Sequence, residues 1–492
     1  MKKIKKRIIC LIILLLTLFT TVPVYAEPSF YTYTYDFWGD ERESPDAYVP
    51  STVLMGNDFG IGSFKEPQGL FVRDKNVYIC DSFNNRIVEL IKNDTNYSLV
   101  RVIDKIVMNG EESTLAYPQD IFVTETGDLY ICDTNNQRIL ILNNDLDVIK
   151  IITKPEDETI DSTSDFLPIK LVVDSAGRIY VQAMNVNKGL MEFAPEGTFT
   201  GYIGANKVTV NLVDYFWKMI STKAQRAQME LFVPTEYNNL ALDLDGFIYT
   251  TTSTFNGRDL ISGGANPIRK LNSMGTDILV RNGFYPPIGD IYWGNAGGIS
   301  GSSKLVDVVA LENDTYCAVD RVRGRIFSYD FQGNLLYAFG GQGNKAGFFQ
   351  YPSAIEDIGD QLLVLDSRSA TLTELSLTQY GKLINEGLMQ YKKGNYDLSA
   401  KKWEEVLKFN GNYDLAYIGI GRSFLRKGEY KKAMEYFELK MDDENYSKAF
   451  KLYRKELVED NIGYALIVLA AFILIPKVIK IFKKIKREVE KE

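Results

Sequence analysis

The sequence predicts a mainly β fold, a six-bladed β-propeller, followed by an α-helical hairpin stack and one transmembrane helix. Three observations predict it. A strand-rich unit recurs about every 50 residues, the spacing then changes to a helical 34, and an apolar run near the C-terminus ends in a basic tail.

Residues 1–26 read as an export signal peptide. Lys2, Lys3, Lys5, Lys6 and Arg7 form a basic start and Ile8 to Phe19 an apolar core, and Val24 and Ala26 supply the small residues before a cleavage site at Glu27. An uncleaved anchor is the alternative, but the apolar run is short for a span.

The repeat opens as Phe64-Lys-Glu-Pro67-Gln-Gly-Leu-Phe-Val72, then Val77-Tyr-Ile-Cys-Asp81-Ser-Phe-Asn-Asn-Arg86-Ile-Val88. It returns as Tyr117-Pro118-Gln-Asp-Ile-Phe-Val123 with Gly127-Asp-Leu-Tyr-Ile-Cys-Asp133-Thr-Asn-Asn-Gln-Arg138-Ile139. Pro67, Pro118 and Pro168 stand 51 and 50 residues apart. Each unit holds a short apolar strand, a turn, a Tyr-rich alternating strand, an Asp-to-Arg loop and a third strand, as a four-stranded antiparallel blade requires. Further copies run from Leu167 to Phe193, Asn239 to Leu271, Asp307 to Phe327 and Pro352 to Leu375. These units resemble NHL repeats over roughly residues 47–376, most specifically in the first two copies; copies four to six lack the Asn-Arg loop or the Pro. The resemblance implies a ring of blades used mostly for binding, and the propeller is assigned to residues 27–376. Residues 47–56 end in the strand-then-glycine form of a fourth strand, so they are expected to close the last blade and remove its free edge.

After Leu375 the period becomes helical. Gly387 and Gly421, Gly394 and Gly428, Tyr396 and Tyr430, and Trp403 and Phe437 are each 34 residues apart. This spacing resembles tetratricopeptide repeats over residues 377–460, which implies stacked helical hairpins with a groove that can hold a partner peptide; the segment is read as a neck that also docks a partner. Residues 461–482 are assigned as the transmembrane helix, its apolar stretch from Ile462 to Phe482 about 31 Å long, with Lys477 and Lys480 snorkelling. The tail 483–492 carries Lys483, Lys484, Lys486, Arg487 and Lys491, which places it in the cytoplasm and the large domain outside a plasma membrane, in a single pass. A basic amphipathic helix lying on the membrane is the alternative; Ile462 to Ile475 has no polar face for it.

The net charge is −8, and both ends are net positive, so the part between is more acidic still. Nucleic acid is excluded as a partner, since phosphate binding needs a basic face. The chain has no histidine, which removes His-based triads, His general bases and His metal sites. Cys80, Cys132 and Cys317 sit at core-like positions and read as buried thiols rather than a disulfide framework.

Aligning the units places Gly69, Asp120, Lys170, Asn239, Asp307 and Ala354 at the ring axis. Asp120, Lys170, Asn239 and Asp307 would converge there as ligand-binding candidates. Six-bladed lactonases and gluconolactonases resemble this arrangement, which implies a divalent cation such as calcium held by carboxylate and amide oxygens. Lys170 would compete for the same carboxylates, so a polar channel with no cofactor and no metal is the preferred reading. Asp81, Asp133, Asp320 and Asp366 are read as structural, holding backbone amides of their own loops. Blade four is lengthened by a segment whose residues 211–231 suggest an amphipathic helix. A later loop carries Tyr285, Tyr292 and Trp293 among Gly and Pro, a stacking surface suited to a glycan or oligosaccharide, or else a cluster packed beneath that helix.

These features favour a membrane-anchored binding or scaffolding protein, not an enzyme, with a protein partner such as a transporter component and an accessory role in carbohydrate uptake or another membrane complex. The alternatives are a metal-dependent lactonase-like hydrolase and an extracellular sensor acting through a membrane partner.

Overall fold

The computed structural model describes residues 32–108, 110–160, 163–184, 186–205, 237–252, 255, 260, 265–291 and 301–490. The expected signal peptide, the insertion at 211–231, and Tyr292 and Trp293 lie outside the described residues.

Six antiparallel sheets surround one axis. Their inner strands are Gly69–Arg73, Pro118–Val123, Pro168–Val173, Asn239–Leu242, Leu305–Ala310 and Pro352–Ile358; each contacts the next, and the sixth returns to the first. Between neighbouring blades the alternate side chains interdigitate, as where Phe122, Ile139 and Ile141 of blade two meet Leu171, Val181 and Phe193 of blade three. This burial is the main stabilising term of the ring.

The repeat signature has a physical cause in the ties between strands. Asp81 accepts the Lys65 N–H at 2.7 Å, Asp133 the Ala116 N–H at 2.7 Å and Asp320 the Lys304 N–H at 3.0 Å, so each buried carboxylate fastens the chain entering its own blade. Arg86 and Arg138 donate to the other oxygens of Asp81 and Asp133 at 2.7 Å. The residue after the aspartate reaches onward: Ser82 donates to the Pro118 carbonyl and Thr134 to the Pro168 carbonyl, both at 2.7 Å, and Arg321 to that of Pro352 at 3.4 Å. One dipeptide thus locks its own blade and the next. The three described cysteines are free and buried.

Three N-terminal strands precede the first complete blade: β1 (Thr32–Tyr35), β2 (Glu41–Glu43) and β3 (Tyr48–Leu54). The third pairs with Thr371–Leu377 as the fourth strand of blade six, within the segment expected to close it. The first two extend blade five outward to six strands, with β1 pairing to Leu335–Gly340. Their seam is polar: Asp290, 1% exposed, accepts from Tyr33 at 2.5 Å, Tyr35 at 3.0 Å and Arg325 at 2.7 Å, and pairs with Arg323 at 3.0 Å. Blade four shows three strands among the described residues. Its outer edge is covered, because Arg281 donates to the Ile268 carbonyl and the Ile278 N–H to that of Lys270, both at 2.7 Å.

Helices α1 (Gln379–Lys392), α2 (Tyr396–Phe409), α3 (Asp414–Lys427) and α4 (Tyr430–Leu439) form two hairpins. The 34-residue spacing is a packing spacing. A Cβ on Gly387 would lie 3.0 Å from the Trp403 ring and one on Gly421 2.7 Å from the Phe437 ring, so both hairpins close glycine onto aromatic. Thr378 caps α1 by accepting the Gly381 N–H at 3.3 Å, and Tyr413 anchors the stack to blade five by donating to the Leu336 carbonyl at 2.8 Å. Leu388, Tyr391, Trp403, Ile418 and Arg422 of the hairpins meet Asp330, Phe331 and Leu336 of blade five around a cavity of about 20 Å³. Helix α5 (Asp443–Val489) then runs unbroken; its stretch Asp443–Arg487 has mean hydropathy 2.4 in its most apolar window and is long and apolar enough to cross a membrane.

Candidate ligand cavity

An axial cavity of about 750 Å³ opens among the turns that follow the inner strands. Because side chains of a strand alternate, axial residues and those two further on line it in successive tiers, with Arg73, Thr124, Asp174 and Asp243 two further still.

The deepest tier holds the four axial polar residues singled out in the sequence, and the structure brings them together. Gly69 adds nothing, since a Cβ there would meet the Gln119 carbonyl at 2.4 Å, and Ala354 offers only a methyl. Lys170 sits 3.1 Å from Asp120, and Asn239 donates to Asp307. Both aspartates also tie blades: Asp120 accepts the Leu171 N–H at 2.9 Å, and Asp307 accepts those of Val308 at 2.7 Å and Ile355 at 2.8 Å. Burial raises the Asp120 carboxyl above its ordinary range, with Lys170 opposing. Burial likewise pushes Asp307 up to about 6 against the pull of Lys170 and its two backbone donors. Burial lowers the Lys170 ammonium, but Asp120 and Asp307 outweigh it and the net shift is upward, so Lys170 stays charged.

That fixed ammonium competes for the carboxylates a metal would need. No group of three or more Cys, Asp or Glu among the described residues is placed to hold a metal ion. Two carboxylates and an amide beside an ammonium do not fit calcium.

The middle tier is Phe71, Phe122, Val172, Ala241, Val309 and Glu356. Phe71 and Phe122 stand 4.9 Å apart, with the Arg73 guanidinium over both rings. Glu356 is the one titratable group in this tier. It is half-buried, faces the cavity, and its side chain has no hydrogen bond or ion pair among the described residues. Burial pushes its carboxyl well above the usual range, and Asp307 and Asp357 push it further.

The mouth is acidic, with Glu125, Asp128, Asp174, Asp243, Asp245, Glu312 and Asp357. Cations near it are committed: Arg178 to Asp174 at 2.7 Å, Lys270 to Asp243 at 2.6 Å, and Arg73 to the Val123 carbonyl at 2.6 Å. Burial holds Asp357 up at about 6, its own backbone N–H opposing. Sequence reasoning missed Glu356 and Asp357. The signal was there, since Glu356 is two residues beyond the axial Ala354 and therefore on the same face.

Tyr285 lies outside this cavity. Its hydroxyl donates to the Phe37 carbonyl at 3.1 Å and its ring meets Tyr35 edge-on at 5.9 Å and Phe284 at 4.9 Å. Phe37 bridges Phe284 and Trp38, 5.0 Å from each, and Trp38 and Phe284 are 69% and 65% exposed.

The fold is a six-bladed β-propeller with an axial cavity. The NHL repeat matches residues 115–142, which are the first three strands of blade two and the turn leading into them. Among solved structures the chain is similar to virginiamycin B lyase from Staphylococcus aureus, at 14% identity and TM-score 0.40 over 66% of this chain and 99% of that one. It is also similar to U3-55K, at 9% identity and TM-score 0.42 over 64% and 97%. A Bacteroides thetaiotaomicron protein of unknown function gives 13%, TM-score 0.41, and 69% and 78%. No function is carried over at these identities. No curated protein matches the sequence.

Proposed function

We propose that the chain is a membrane-anchored, extracytoplasmic binding protein whose propeller takes up a small cationic ligand with an apolar body, and that it acts as the recognition subunit of a membrane complex. The observation that carries this reading is Glu356, a carboxylate without a partner among the described residues, set in a tier of aromatic and aliphatic side chains. A carboxylate so placed gains most from an amine or guanidinium that brings its own apolar surface. The absence of histidine supports binding without turnover. The apolar run in α5 supports the anchor, and the basic residues beyond it support a cytoplasmic C-terminus.

Calorimetric titration with phenethylamine, against its neutral analogue phenylethanol, tests the ligand class. The amine should bind and the alcohol should bind far more weakly. Glu356→Gln should weaken the amine by about tenfold or more, the effect of losing a hydrogen bond between charged groups. Equal binding of both probes, or a Glu356→Gln protein indistinguishable from the parent, rejects the site.

The exposed rings of Trp38 and Phe284 beside Tyr285 support a second reading, a surface platform for glycans. Phe284→Ala should then reduce retention on an immobilised oligosaccharide without altering amine binding.

A further inference from the structure

Beyond the axial cavity, the last turns of α5 carry two separate faces. Lys477, Lys480, Lys484 and Arg487 follow at intervals of 3, 4 and 3 residues, which puts them on one side of a helix. Val478, Ile481, Phe482 and Ile485 follow at 3, 1 and 3 and fall on the other side, 47%, 57%, 69% and 51% exposed. Pro476 stands inside the helix directly before them. The apolar run upstream, Ile462 to Ile475, is 14 residues, about 21 Å, and falls short of a hydrocarbon core of about 30 Å. The turns after Pro476 must therefore complete the crossing. They do so with a cationic stripe that continues from membrane depth into the headgroup layer.

We propose that this stripe is a binding site for anionic phospholipid headgroups. Lys477 and Lys480 extend outward to reach them, Lys484 and Arg487 meet them directly, and the opposite face packs against acyl chains. Charge complementarity selects this occupant: the stripe holds four cations, and each such residue near an anionic surface strengthens attachment by roughly fivefold. A zwitterionic membrane gives no such gain. The inference rests on the reading that α5 enters a membrane.

The test uses the full chain, with Cys10 replaced by serine, in mixed vesicles. Cys80, Cys132 and Cys317 are buried, so a cysteine introduced by Ile485→Cys takes up a donor dye selectively. Energy transfer should be several-fold greater to a headgroup-labelled anionic lipid than to a headgroup-labelled zwitterionic one. Raising the salt, or combining Lys480→Gln, Lys484→Gln and Arg487→Gln, should abolish the difference. Equal transfer to both lipids, or a difference that survives neutralisation, overturns the proposal. A dye at Phe472→Cys separates the two failures. Quenching there by chain-labelled lipid shows that the span is in place, and its absence overturns the membrane reading and this site together.

Discussion

Asp307 and Asp357 titrate near 6, above the usual carboxylate range, because burial disfavours their charged forms. A raised acid contributes stability that is fully present below the ordinary carboxylate range and is lost as pH climbs through 6. The melting temperature of the propeller should therefore fall between about pH 5 and pH 7 from this source, and Asp357→Asn should flatten the profile. A bound cation reverses the preference by favouring the ionised forms, so amine affinity should rise over the same interval. A melting curve that climbs steadily from pH 5 to 7 without ligand would contradict the assignment. Asp307 is the poorer position to substitute, since it also holds the Val308 and Ile355 amides.

Among the elements, the helical hairpins make the sharpest claim. Gly421→Ala drives a methyl into the Phe437 ring and should cost about 1–3 kcal/mol by overpacking, whereas Gly411→Ala, whose nearest neighbour would be the Leu407 carbonyl at 3.8 Å, should be near neutral by chemical denaturation. The same elements show what a sequence discloses. Pro67, Pro118 and Pro168, the Asp81–Arg86 and Asp133–Arg138 pairs and the 34-residue glycines were legible because the contacts that select them lie within one unit or between successive units. The axial set Asp120, Lys170, Asn239 and Asp307 was legible for the same reason, as one position read across aligned copies. Asp290 was not, since its partners Tyr33 and Tyr35 lie 257 and 255 residues away. Nor was the Asp330–Asn334 turn against α1 and α3, which depends on where the hairpins land rather than on any local pattern.

At the scale of the molecule, the connection between the hairpin stack and the apolar run is a helix without interruption. Ala449 is the last fully buried residue of α5, and Ile462 begins the apolar run 13 residues later, about 20 Å along the axis. A flexible tether would let the propeller swivel, whereas this linkage fixes its azimuth about the helix. Each residue inserted between Leu452 and Glu459 would turn the ring by about 100° and lift it by about 1.5 Å. If a membrane partner engages both the span and the propeller, complex formation should oscillate with insert length. It should be poor with two added alanines and substantially restored with four, which bring the ring back to within about 40° of its starting bearing. A smooth decline with length would mean that only reach matters. Co-purification across the series distinguishes these outcomes, because a stiff shaft transmits angle as well as distance.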